Sequence, residues 1–490
     1  MKRILIAILV MVTLSAQAQQ NPLLDQSFWK SKPSAAAVKA EVDKGADPAQ
    51  KNGSAFDPVV MAINADAPNE TIKYLIDQPG NPVDKITHDG RIYMHWAAYR
   101  GNVEIIEYLL SKGSKINIDD AHGYSVLNFA ATAGQTNTKI YDLCFANGVN
   151  AKTSLTPDGA NALLLGVAND KDMVLTNYFV SKGLDIKSVD AAGNTAFNYA
   201  ARAGNIDMMK ALKEKGVPYT DNAMLMAAQG TRRGANGIEV YQYLESLKIK
   251  PTAVGKNGET ALHAVVRRPG QLDIIKYFLS KGVNVNQADD EGNTPFMLAA
   301  ASNSDTATIA LLASSVKNIN LANKKGVTAL AYAVRGNSAA VVSYLISKGA
   351  NVNVTDASGD NLAAYLMQSY SPQRAESFEA KLKVLQDKGF AVNAPQKNGN
   401  TLYHMAVAKN DLALLRRIES LNVDVNAKNK EGFTALHKAA MLSKDDAILK
   451  YLVSIGAKKE IATDFKETAF DLASENESLS KNKVSVTFLK

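Results

Sequence analysis

Glycine returns along this chain at a nearly constant interval. It stands at Gly53, Gly90, Gly123, Gly159, Gly193, Gly258, Gly292, Gly326, Gly359, Gly399 and Gly432. The steps run from 33 to 40 residues, except for one of 65 that spans two periods with a glycine missing. A period near 33 residues describes a stack of small supersecondary units, each contacting its neighbours only. A length of 490 residues would otherwise suggest several globular domains. A stack removes that requirement, because it grows by addition and not by enlarging one core.

One unit shows the physics. Ala288-Asp289-Asp290-Glu291-Gly292-Asn293 has turn composition, and Gly292 suits a position that needs positive φ. Thr294 is placed to cap the helix that follows, and Pro295 falls at its first position, where a missing N–H costs nothing. Phe296, Ala299 and Ala300 then mark one apolar face at i, i+3, i+4. A second helix follows in each unit, as in Tyr108-Leu109-Leu110-Ser111-Lys112-Gly113, whose glycine ends it. Neither helix can bury its face alone, so stacking must close the core.

The phrases Thr260-Ala261-Leu262-His263, Thr294-Pro295-Phe296-Met297 and Thr434-Ala435-Leu436-His437, with loops such as Gly349-Ala350-Asn351-Val352-Asn353, resemble the ankyrin repeat family. The resemblance covers roughly residues 33–475. It implies an all-α ankyrin repeat solenoid of about 12–13 helix–turn–helix units with projecting β-turn fingers. The expected organisation is a signal peptide at 1–18, a lead at 19–32, a first sub-array at 33–217, a second at 218–476 and a tail at 477–490. A kink is expected near 216–237, where Pro218-Tyr219-Thr220-Asp221-Asn222 replaces a glycine turn and an insertion covers 230–237. Another insertion covers 369–377. The array is expected to begin with half a unit at Ser34–Ala49, and Val484–Phe488 alternates like a short strand.

Lys2 and Arg3, an apolar run from Ile4 to Leu14, and Ala16-Gln17-Ala18 read as a cleavable export signal. That predicts an exported, periplasmic or extracellular protein, soluble and without a membrane span once the signal is removed. Removing Lys2 and Arg3 takes the 55 basic residues to 53 against 48 acidic ones. So mild an excess does not argue for a nucleic-acid partner. The one cysteine, Cys144, lies in an apolar helical stretch and reads as a small buried hydrophobe.

No catalytic residue, metal ligand or cofactor motif is expected. His95, His263, His404 and His437 recur with the repeat, and the resemblance implies structural hydrogen bonds near the turns for them. The tyrosine series Tyr108, Tyr178, Tyr277, Tyr344 and Tyr451 reads as periodic core packing. The resemblance implies partner binding on the concave face, made of turn tips and exposed first-helix positions. There the sequence offers Arg91, Tyr99, Arg100, Arg202, Lys256, Arg267, Arg268, Lys324, Lys325, Arg335, Lys397, Lys409 and Lys430, with Arg232 and Arg233 of the insertion beside them. The expected function is a non-enzymatic, monomeric protein-binding module or scaffold of the cell envelope, its partner unidentified. The alternatives are a binder of an anionic envelope polymer, a chaperone-like accessory to an exported enzyme, and a secreted effector.

Overall fold

The computed structural model describes residues 21–232 and 234–490. The expected export signal at 1–18, the start of the lead and Arg233 lie outside them. The described residues are helical, with isolated antiparallel bridges at the turns. They divide between Ala223 and Met224 into two compact units. In the first unit, the first helices of successive repeats are Pro58–Asn64, Tyr93–Arg100, Val126–Thr132, Ala162–Gly166 and Ala196–Ala203, each packed on the next. In the second they are Ala261–Val265, Pro295–Ser302, Ala329–Gly336, Leu362–Ser369, Leu402–Ala408, Ala435–Leu442 and Ala469–Glu475. Second helices such as Thr306–Ala313 and Ala339–Ser347 also pack on one another. This is the expected all-α ankyrin architecture.

The repeat at 288–312 behaves as its sequence dictates. The Thr294 side chain accepts from the Met297 N–H, and Pro295 opens the helix. Phe296, Ala299 and Ala300 are buried. Burial of an aromatic or leucine side chain contributes about 1.5–3 kcal/mol, and alanine leaves room for the next helix to approach.

The turns form a second line of contact. Asp289 Oδ1 accepts from the Glu291 and Asn293 N–H groups, which closes the turn on itself. The Asp290 N–H then donates to the Asn257 carbonyl of the preceding turn at 2.8 Å. The same single bond recurs from Lys324 to Glu291, Ala357 to Lys325, Lys397 to Gly359 and Lys430 to Asn398, and in the first unit from Ala121 to Asp89 and Ala191 to Asp158. Gly326 shows why the tip residue is glycine. Its φ is +76°, and a Cβ there would lie 2.7 Å from the Ala357 nitrogen. Gly53 departs from the pattern, since Ala55 takes the positive φ of that turn.

On the opposite edge, asparagines tie first-helix ends together. Asn303 donates to the Val266 carbonyl and Asn337 to the Ala300 carbonyl. The next carbonyl in register is that of Val334. The 369–377 insertion displaces the asparagine, and buried Lys381 of helix Ala375–Asp387 donates there instead at 2.7 Å. Burial, with Arg374 nearby, lowers the Lys381 pKa to about 8.

Both ends differ from expectation. Pro22–Leu24 and Gln26–Lys30 pack on helix Pro58–Asn64, so the lead supplies what the half-unit lacked. Trp29 is buried there and donates to the Leu23 carbonyl. At the other end no strand forms. Thr487–Leu489 is a 3-10 turn, Leu489 is buried, and Lys459 donates to the Phe488 and Lys490 carbonyls.

Gly326→Ala should therefore cost about 2–3 kcal/mol, since it adds a backbone collision to left-handed strain. Gly193, at φ +78° with nothing within 4 Å of an added Cβ, should cost only about 1 kcal/mol as Gly193→Ala. Urea denaturation of the two variants checks the order. The titration of Lys381 gives a second expectation. The unfolded chain binds its proton more tightly than the folded one, so stability should rise between about pH 8 and 10. Lys381→Met should flatten that rise in the same assay.

Candidate binding surface

The face built from turn tips and first-helix ends carries most of the residues singled out by sequence. The structure sorts them by what they already hold. Arg91 is a correction. It is buried, donates to Asp120 at 2.9 Å and to Asp89 at 3.0 Å, and lies 4.3 Å over the Phe129 ring. It is a clamp between turns and is not available to a partner. Arg100 pairs with Asp66, its Nε donating at 2.9 Å, and Tyr99 stacks on Phe129 while 40% exposed. Arg202 is exposed on the same edge.

In the second unit Lys256, Lys324, Lys397, Lys409 and Lys430 are exposed, as is Arg232 in the insertion. Lys325 lies 3.6 Å from Glu291, Arg335 lies over the Tyr332 ring, and Lys409 donates to the Tyr370 carbonyl. Arg267 and Arg268 are brought together in an open cleft of about 340 Å³, lined also by Leu225, Gln229, Glu259, His263, Asp289 and Leu298.

The histidines occupy structural places. His263 Nδ1 accepts from the Thr260 N–H at 2.9 Å, and its Nε2 donates to the Asn293 carbonyl of the next turn at 3.2 Å. His404 and His437 repeat the arrangement with Thr401 and Phe433, and with Thr434 and Ile461. In the His95 repeat Ile92 stands at the cap, the threonine bond is lost, and Nε2 reaches the Tyr124 carbonyl. Burial pushes all four pKa values down, His95 to about 4. Cys144 is buried, and burial raises its pKa to about 12.

The tyrosine series is half-buried, not core. Tyr108 donates to Asp77, Tyr178 to Asp142, Tyr277 to Glu245 and Tyr451 to Glu419. Each carboxylate belongs to the preceding repeat, and in the first three a lysine one turn on, Lys112, Lys182 or Lys281, pairs with it as well. Sequence reading also missed a set of exposed apolar residues beside the turns: Ile86, Leu155, Val189, Val254 and Leu321, with Phe465 at the last tip. Their signal was an apolar residue one or two places before each turn-opening Asp, Asn, Thr or Gly.

Comparison with known proteins agrees with this architecture. The model for ankyrin repeats in three copies matches residues 35–120, 59–141, 224–323, 262–356 and 374–463, and that for many copies matches 162–212. Alpha-latroinsectotoxin-Lt1a of Latrodectus tredecimguttatus is 24% identical over 73% of this chain and 26% of its own length. The human transient receptor potential cation channel subfamily A member 1 is 23% identical over 86% of this chain and 32% of its own. Phosphocholine transferase AnkX of Legionella pneumophila is 25% identical over 52% of this chain and 22% of its own. The chain thus spans a third or less of these relatives.

The buried histidines carry an acid limit. Each is held neutral in the fold, while the unfolded chain takes up the proton near the ordinary value of about 6.5. Stability should be full above that pH and fall progressively toward about pH 4. His95→Asn, which places there the residue found at Asn128 in the next repeat and at Asn198 two repeats beyond it, should lose less on acidification. Urea midpoints at pH 7 and pH 5 check this.

Proposed function

This chain belongs to the ankyrin repeat family, and from that premise we propose that it is a non-catalytic binding module which holds a protein partner on the face of turn tips and first-helix ends. The observation that carries the reading is the turn-to-turn bonding. Seven tips are registered on the one before by a backbone hydrogen bond, five of them in succession from Asp290 to Lys430, so the side chains between are preset and little order remains to be gained on binding. Exposed lysines recur on that face at Lys324, Lys397 and Lys430, and favour an acidic partner surface. We place the module in the cell envelope, periplasmic or extracellular, acting as a monomeric scaffold. The basic start, apolar run and small-residue site at 1–18 support export.

Affinity capture with the tagged chain from its own cell envelope, followed by mass spectrometry, tests the reading. A stoichiometric protein should be recovered, and the triple variant Lys324→Glu, Lys397→Glu, Lys430→Glu should recover at least about tenfold less of it. Equal recovery by the variant, or retention of glycan with no protein, would overturn the reading.

A further inference from the structure

The insertion at 230–237 builds something. Gly230 takes φ +61°, and Thr231 and Gly234 exchange backbone hydrogen bonds that close the segment into a tight turn. Asn236 donates to the Ala227 carbonyl at 2.8 Å and fastens its far end. Arg268 latches the near end, its Nη2 donating to the Gln229 carbonyl at 2.8 Å and to that of Thr231 at 3.4 Å. The latch fixes Arg268 against Gln229, and both line the 340 Å³ cleft, whose floor holds Leu225 and Leu298. That volume is at the small end of ligand sites and suits one or two amino-acid side chains.

The charged groups of the cleft are unequally committed. Asp289 already accepts two backbone N–H groups and the Asn293 amide. Glu259 folds back to accept the Asn257 N–H at 3.0 Å. Both ring nitrogens of His263 are bonded. Arg267 differs. It is exposed, stands beside the latched Arg268, and its guanidinium makes no ion pair or hydrogen bond among the described residues. A planar fork of donors at the mouth of a cleft with a leucine floor fits a carboxylate held bidentately, with an apolar neighbour seated below.

We propose that this cleft seats an acidic side chain of a partner polypeptide together with the apolar side chain next to it. The proposal rests on the binding-module reading and narrows it to one anchor: Arg267 receives the carboxylate, and Leu225 and Leu298 receive the apolar group. Arg268, bonded to the Gln229 carbonyl, fixes the wall beside it.

Fluorescence anisotropy on the purified full chain tests this with labelled glycine–serine peptides carrying a central glutamate–leucine pair. That peptide should bind, and the glutamine–leucine, lysine–leucine and glutamate–serine peptides should each bind at least about tenfold more weakly. Arg267→Ala should lose the preference for glutamate over glutamine, and Arg267→Lys should keep part of it; circular dichroism confirms that both fold. Absence of binding by the glutamate–leucine peptide, equal binding of the glutamine peptide, or an unchanged preference in Arg267→Ala would overturn the proposal. The peptide titration is read without any natural partner. Failure of the cleft is therefore distinguished from failure of the wider reading, which the lysine triple variant and envelope capture decide.

Discussion

The fold depends on how closely one turn can be laid on the next. At seven junctions the backbone N–H of one tip reaches the carbonyl of the tip before it, at 2.8 to 3.1 Å. Only a residue without a Cβ allows that approach at Gly326, where the facing atom is itself backbone. Everything above the turn follows from this spacing. The threonine cap starts the first helix at a fixed height, and the histidine three residues on finds the next turn's carbonyl within reach. The alanines of that helix meet their counterparts one repeat along. A wider tip would separate all three sets of contacts together.

The turn spacing is also what made the fold legible. Gly292, Thr294 and Pro295 each have one stereochemical use at their position, so a single repeat could be read residue by residue. Tyr108 and Arg91 were read less well because their roles depend on residues about 30 positions away. A tyrosine recurring with the repeat looks the same whether it fills the core or bonds to Asp77 across the junction, and only the position of that carboxylate decides. Arg91 looked like an exposed tip residue until Asp120 of the next turn was placed beside it. At the ends the periodic signal stops, and neither Trp29 nor Leu489 sits in a pattern that announces a cap.

The candidate surface was legible as a set of positions and not as a hierarchy. Sequence placed Arg267 and Arg268 together, as the structure does, but could not show that one is spent on the Gln229 carbonyl while the other's guanidinium has no hydrogen bond or ion pair among the described residues. The insertion at 230–237 and that at 369–377 looked alike in sequence. One is latched by Arg268 and fastened back on the Ala227 carbonyl; the other lengthens a helix connection and leaves Lys381 to cover a carbonyl elsewhere served by asparagine. Composition says little about which it will be, because the difference lies in where the displaced backbone needs a donor.

The tyrosine–carboxylate–lysine staples join second helices, while the backbone bonds join the turns. In the first unit the two fastenings alternate: Tyr108 and Tyr178 staple junctions that have no turn-to-turn bond among the described residues, and the bonds from Ala121 and Ala191 hold the junctions that follow each of them. In the second unit the Tyr451 junction carries both, its turn bonded from Lys430 to Asn398. Tension applied at one end of the first unit therefore meets a junction hemmed at one margin and open at the other, and a repeat can peel from its open margin as a stitched page does from its loose edge.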